Sequence, residues 1–219
     1  KLALVFLSTL VLAACGGDGD SSGGASPIAI SSSNANATIK NSETAMNAAN
    51  NSLTQVNSLV RSGLNRNTTV NCEVSGSVSI SQAGSNSFTI AYSSCSDGET
   101  TVNGSLSFTS TDTAFSISGN LSVVDGDESV SLSGLSMTYD FSGDTFSYSY
   151  NFTAEIETAD FTGTISLTTS QPITLVSFLP INITGQYRIS GADSTFVEVT
   201  YLGDAGVSVN VNGSTTVTY

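Results

Sequence analysis

The stretch that decides the fold runs Leu135-Ser136-Met137-Thr138-Tyr139-Asp140-Phe141-Ser142-Gly143-Asp144-Thr145-Phe146-Ser147-Tyr148-Ser149-Tyr150-Asn151-Phe152. Apolar and aromatic side chains occupy every second position on either side of Gly143-Asp144, with Ser, Thr, Asp and Asn between them. A period of two puts one set of side chains on one face of a strand, so each arm reads as a half-buried antiparallel strand. Gly143-Asp144 suits a two-residue hairpin loop, which sets Phe141 opposite Phe146, Tyr139 opposite Tyr148 and Met137 opposite Tyr150.

The same alternation extends outward in both directions. It begins at Val74, Val78 and Ile80, continues through Phe88 to Tyr92, Val102 to Phe108, Phe115 to Val123 and Val130 to Leu132, and resumes beyond Phe152 as far as Val211. A turn at Thr111-Asp112 predicts Phe108 opposite Phe115, Leu106 opposite Ile117 and Gly104 opposite Gly119, a glycine pair where another segment would approach closely. A turn at Thr158-Ala159 predicts Ile156 opposite Phe161, and the Gly191–Ser194 turn pairs Ile189 with Val197. A fifth hairpin turns near Ala83-Gly84. Parity slips between Leu132 and Leu135, where Gly134 marks a β-bulge. From Gln171 to Leu179 the apolar stretch holds Pro172 and is followed by Pro180, which predicts a connection lying over the open edge or mouth of the sheet. The expected fold is mainly β, an antiparallel meander of about ten strands forming a barrel or half-barrel.

Before the strands the period changes. Ile39, Met46, Leu53 and Val60 recur every seven residues, with Ala49, Val56 and Gly63 as companions, and polar residues such as Lys40, Glu43 and Gln55 fill the other faces. This predicts an amphipathic helix over 37–66, capped by Asn34 or Asn36 and packed on the apolar face of the β domain, 67–219.

The first residues are an apolar run, Leu2 to Ala13, behind Lys1, too short for a membrane span of about 20 residues and matching the core of a secretory signal peptide. The run ends in Leu12-Ala13-Ala14-Cys15, which resembles the lipobox of bacterial lipoproteins. The resemblance implies a signal peptide at 1–14, cleavage before Cys15 and lipidation of its thiol. Gly16, where an Asp would favour inner-membrane retention, implies the outer membrane, on its periplasmic side or at the cell surface. Residues 15–36, rich in Gly, Ser and Asn, form a flexible tether carrying the solvated Asp18 and Asp20. The architecture resembles, by analogy alone, the half-barrel lipoproteins of bacterial envelopes that carry lipids or lipoproteins.

Composition narrows the chemistry. The chain of 219 residues carries 5 Lys+Arg against 18 Asp+Glu and has no His. An acidic chain offers no footprint for nucleic-acid phosphates. Without His there is no Ser-His-Asp triad, no Cys-His pair and no His-ligated metal. With Cys15 lipidated, Cys72 and Cys95 remain to form one structural disulfide, given a bulge at Ser93-Ser94 to align them. Asp125, Asp127 and Glu128 are weak candidates for a hard cation, read first as a solvated turn, as is Asp97-Gly98-Glu99. Asp140 and Asp144 flank a hairpin as a glycosidase pair would, without a cleft signal. Arg188 and Glu198 form a surface ion pair.

No catalytic residue, no cofactor and no enzyme activity is expected. The ligand-facing candidates are Phe108, Phe115, Met137, Tyr139, Tyr148, Tyr150 and Phe152. The leading expectation is a lipid-anchored envelope protein, attached to the membrane by its N-terminal lipid and binding a hydrophobic small molecule, or an envelope protein, in a curved sheet. A structural or adhesion module using the Ser/Thr-rich face is second. A transmembrane β-barrel, apolar outside and ending on Tyr219, is third.

Overall fold

The structure, a computed structural model, describes residues 25–47, 67–141, 145–178 and 181–218. Twelve strands follow in chain order: β1 Thr68–Asn71, β2 Ser75–Gly84, β3 Ser87–Ser96, β4 Thr100–Ser110, β5 Ala114–Asp125 and β6 Glu128–Asp140. The second half holds β7 Phe146–Thr158, β8 Phe161–Phe178, β9 Ile181–Ser190, β10 Phe196–Leu202, β11 Val207–Val211 and β12 Ser214–Thr218. Each pairs antiparallel with its sequence neighbours in one sheet ordered β1 to β12. The two end strands do not pair with one another, so the sheet is open. The meander is as expected, and the count is twelve where the sequence predicts about ten, because β1 and β12 are only 4 and 5 residues long.

Among the described residues one helix, α1, spans residues 35–47 and lies on the apolar face of the sheet. Ala35 and Ala45 join the buried core, and Ile39 and Met46 pack against it. The remainder of the predicted helix, including Leu53, Val56, Val60 and Gly63, lies outside the described residues. Of the two predicted caps, Asn34 sits directly before α1, its carbonyl accepting the Thr38 N–H at 2.9 Å, while its side chain turns back to Ser31. The turn into it is closed from Ser31, whose carbonyl accepts the Ala35 N–H at 2.9 Å while its own N–H donates to Asn34 Oδ1 at 2.8 Å. That is the back-bond of a capping box, with Asn at the third position. Residues 25–30, expected in the free tether, are docked at the strand ends. Pro27 bridges Thr164, Ile30 is buried, and Asn212 Nδ2 donates to the Ile30 carbonyl at 2.8 Å. Ile28 and Ile30 supply the apolar contact that a Gly/Ser coil lacks.

The central hairpin keeps its predicted register, Tyr139 opposite Tyr148 and Met137 opposite Tyr150, and Ile189 faces Val197. Two other turns move by one residue. The β4–β5 loop is Asp112-Thr113, so Phe108 faces Ile117, Leu106 faces Gly119 and Gly104 faces Leu121. The β7–β8 loop is Ala159-Asp160, so Ile156 faces Gly163 and Phe161 faces Thr158. Moving a turn centre by one residue moves the register by two, which leaves every side chain on its expected face. The two glycines therefore do not meet. The β2–β3 turn likewise sits at Ser85-Asn86, with Gly84 paired to Ser87. The predicted bulge is present at Gly134, with φ of +60° and the ladder shifted on both sides. The predicted connection from Gln171 is instead part of β8, an 18-residue strand running through Pro172. The strand tolerates this proline because the β8–β9 ladder is interrupted between Gln171 and Thr174, where no N–H is required.

Cys72 and Cys95 form the disulfide, their Cα atoms 5.4 Å apart. The β3–β4 register breaks between Tyr92 and Cys95, and Ser94 takes φ of +46°, which is the expected bulge.

Candidate functional site

All seven ligand-facing candidates lie on the apolar face, but the structure sorts them into three groups. Phe108, Met137 and Phe152 are closed into the core, at 2%, 0% and 4% exposure. Phe115 and Tyr139 are half-buried in a ladder of rings crossing the sheet. In that ladder Phe88 stacks on Phe108 at 4.7 Å, Phe108 meets Phe115 at 5.7 Å, and Phe115 meets Tyr139 at 6.2 Å. Beyond Tyr139 the ladder branches to Phe146 at 6.1 Å and Tyr148 at 6.4 Å. Phe88 and Phe146 extend the expected set and were legible from the alternation around them.

Tyr148 and Tyr150 are the two candidates that line a cavity. Its volume is about 50 Å³, and it lies between α1 and strands β7 to β10. The helix supplies Glu43 and Met46, β8 supplies Leu167, Thr169 and Ile173, and Tyr187 and Tyr201 come from β9 and β10. The space follows from a break in the ladder. The β7–β8 register shifts between Tyr148 and Asn151. Thr169 fills the missing bonds with its side chain, its hydroxyl accepting the Tyr150 N–H at 2.8 Å and donating to the Tyr150 carbonyl at 2.9 Å. An irregular ladder satisfied by a short side chain leaves room that a regular strand pair would close.

The site is polar at the hydroxyl ends and acidic at the helix. The Tyr187 and Tyr201 rings meet with centroids 6.3 Å apart, and the Tyr139 and Tyr150 hydroxyls lie 3.1 Å apart. Glu43 keeps exposed surface, yet burial of its carboxyl against the sheet raises its pKa above the ordinary value. Burial raises the Tyr187 and Tyr201 phenols, and the nearby Glu43 charge adds to both shifts. Tyr148 is raised by burial first and by Tyr150 and Tyr201 next. Glu43, Tyr187 and Tyr201 were not singled out from sequence as ligand-facing. The alternation puts both tyrosines on the apolar face, but which helix residue they meet depends on long-range packing.

The remaining candidates do not assemble into a site. Asp125, Asp127 and Glu128 are exposed on the β5–β6 turn, and among the described residues no group of three or more His, Cys, Asp or Glu is placed to hold a metal ion. Asp97 closes its own turn, accepting N–H bonds from Glu99 at 3.0 Å and Thr100 at 2.8 Å, which lower its pKa. Asp144 lies outside the described residues. Arg188 bonds Glu198 at 2.9 Å as expected and also covers the Phe196 ring, 4.1 Å from its centroid. A second, wider hollow of about 280 Å³ lies beside the disulfide, between Val70, Glu73, Asp97 and Val102.

The chain matches no protein-family model, no curated protein and no solved structure. What the site does is therefore argued from its own geometry.

Proposed function

We propose that this chain is a lipid-anchored protein of the bacterial outer membrane that binds a compact ligand between α1 and a half-barrel sheet, without catalysing a reaction. The observation that carries the reading is the cavity itself. Beneath α1, four tyrosines and a helix-borne carboxylate converge on an unfilled space among the buried side chains of the apolar face. A mostly apolar hollow with a few convergent polar groups is the usual form of a small-molecule site. Its volume of about 50 Å³ favours a compact ligand over an acyl chain. Burial of the apolar face beneath α1 supports an inward role for that face, against the transmembrane-barrel alternative. Cys15 supports the anchor through its lipobox-like setting.

The test is fractionation of the full chain expressed in a bacterial host, with mass spectrometry of the mature N-terminus and native mass spectrometry of the released protein. The wild type is expected in the outer-membrane fraction with an acylated Cys15, and Cys15→Ser in the soluble fraction. A Cys15→Ser protein that still needs detergent overturns the anchor, and a native spectrum holding neither ligand nor exchangeable additive counts against the ligand.

A second reading draws on the opposite face. Thr89, Ser107, Ser118 and Ser136 stand opposite one another on consecutive strands, a lateral line of hydroxyls without charge. Strands 4.7–4.9 Å apart would repeat such hydroxyls at regular intervals, which suits adhesion to a neutral glycan surface. Retention of the soluble variant on insoluble polysaccharides would favour this reading.

A further inference from the structure

We infer that the cavity under α1 is a site for a small organic ammonium ion, with Glu43 as its counter-ion and the rings of Tyr148, Tyr187 and Tyr201 as its walls. The inference rests on reading this cavity as a ligand site and names the ligand's chemistry; it is independent of the lipid anchor. The first argument is charge. Among the described residues no basic side chain lines the cavity; the polar residues that line it are Glu43, the four tyrosines and Thr169. Arg188 is engaged elsewhere, bonded to Glu198 and stacked on Phe196. An anion entering here would meet a carboxylate without a counter-charge. A neutral hydrocarbon would cover the carboxylate and leave it unpaired, which is costly in a partly desolvated place.

The second argument is what surrounds the carboxylate. A hard metal ion wants six or more oxygens around it, and Glu43 is the one carboxylate that lines the space. Aromatic rings select differently. Their negative faces attract an ammonium ion, most strongly where water is excluded, and they accept its alkyl groups, which a hydrated metal ion does not have. The third argument is size. At about 10–15 Å³ for each enclosed water, a hollow of about 50 Å³ takes a group of a few heavy atoms. Glu43 lines this hollow while staying partly exposed, so it stands where the cavity meets solvent and a cation would meet it first.

The experiment uses methylammonium and tetramethylammonium chlorides as probes and tert-butanol as a neutral compact control, each titrated into the full chain carrying Cys15→Ser and followed by proton NMR. Wild-type binding site residues are expected to bind one of the ammonium probes saturably, with nuclear Overhauser contacts from its methyl protons to tyrosine ring protons. Glu43→Gln, which keeps the shape and removes the charge, is expected to weaken binding roughly tenfold or more, and Tyr148→Leu, which removes a ring and no charge, to weaken it as well. Near-UV circular dichroism checks that both variants keep the native packing. Glu43→Gln binding within twofold of the unsubstituted site overturns the inference. Saturable binding of tert-butanol without either ammonium ion also overturns it while leaving the ligand site intact. Binding of none of the three removes both.

Discussion

Gly119 holds φ of +147° on β5, and a Cβ built there would run into the Ser105 carbonyl of β4. The close approach that a facing glycine pair suggests is thus made by the neighbouring strand itself. Gly119→Ala should lose roughly 1–3 kcal/mol, seen as a lower urea midpoint at unchanged slope, because both the backbone conformation and the space oppose a side chain. The tyrosines offer a second measurement at this scale. Burial pushes Tyr92 up to about 12 and raises Tyr139, Tyr148, Tyr187 and Tyr201 from an ordinary value near 10.0. The folded state holds these protons more tightly than the unfolded chain. Their contribution to stability is therefore complete below pH 10 and drains as pH climbs past it. The greater part of the phenolate absorbance, that of these five among the seven tyrosines, should rise late, together with the loss of far-UV dichroism. A gradual rise centred near pH 10 in a still-folded protein would show the rings to be open to water.

At the scale of elements, the disulfide joins the lower ends of β1–β2 and β3 across a separation of 23 residues. A loop of that length predicts that Cys72→Ser/Cys95→Ser costs about 3 kcal/mol in denaturant unfolding. The bond was legible in the sequence because Cys72 and Cys95 are the two thiols left once Cys15 is set aside, and alternation shows where a bulge must bring them together. The strand faces were legible too, since period two is a local signal. The turn positions at Asp112-Thr113 and Ala159-Asp160 were not. Parity is blind to a shift of two, and Asp112 belongs to both candidate loops and so cannot choose between them, whereas the turn preference of Asp160 was the one local signal for Ala159-Asp160. Pro172 was read as a strand breaker because the β7–β8 and β8–β9 irregularities that excuse it depend on the neighbouring strands. The same holds for the site. Tyr148 and Tyr150 could be read from their own hairpin, whereas Glu43 is one of several polar residues on a helix and gains meaning only from tyrosines more than a hundred positions away.

For the whole molecule, the joining element is Asn212. Its Oδ1 accepts the Phe196 N–H at 2.7 Å and its Nδ2 donates to the Ile30 carbonyl at 2.8 Å, binding the β11–β12 turn to the segment that leads into α1. Thr195 Oγ1 accepts the Ile30 N–H at 2.7 Å beside it. Asn212→Asp keeps the acceptor and loses the donor, so about 1 kcal/mol should disappear with the Ile30 bond alone. Faster amide exchange confined to residues 28–38 would show that the loss is a loosening of this junction, and uniform loss across the sheet would refute that view.

Strand order and chain order coincide throughout the sheet, so every strand pair is a local hairpin. A chain that appears N-terminal end first, at a ribosome or on the far side of a membrane, can zip these hairpins one after another. The junction at residues 28–30 obeys a different clock, because its partners Thr195 and Asn212 follow Ile30 by 165 and 182 residues. Residues 28–30 must wait for all the hairpins up to β11 before they can settle, with the apolar stripe of α1 uncovered in the meantime. Growth in one direction and closure in the other make this segment become native after the strands that hold it.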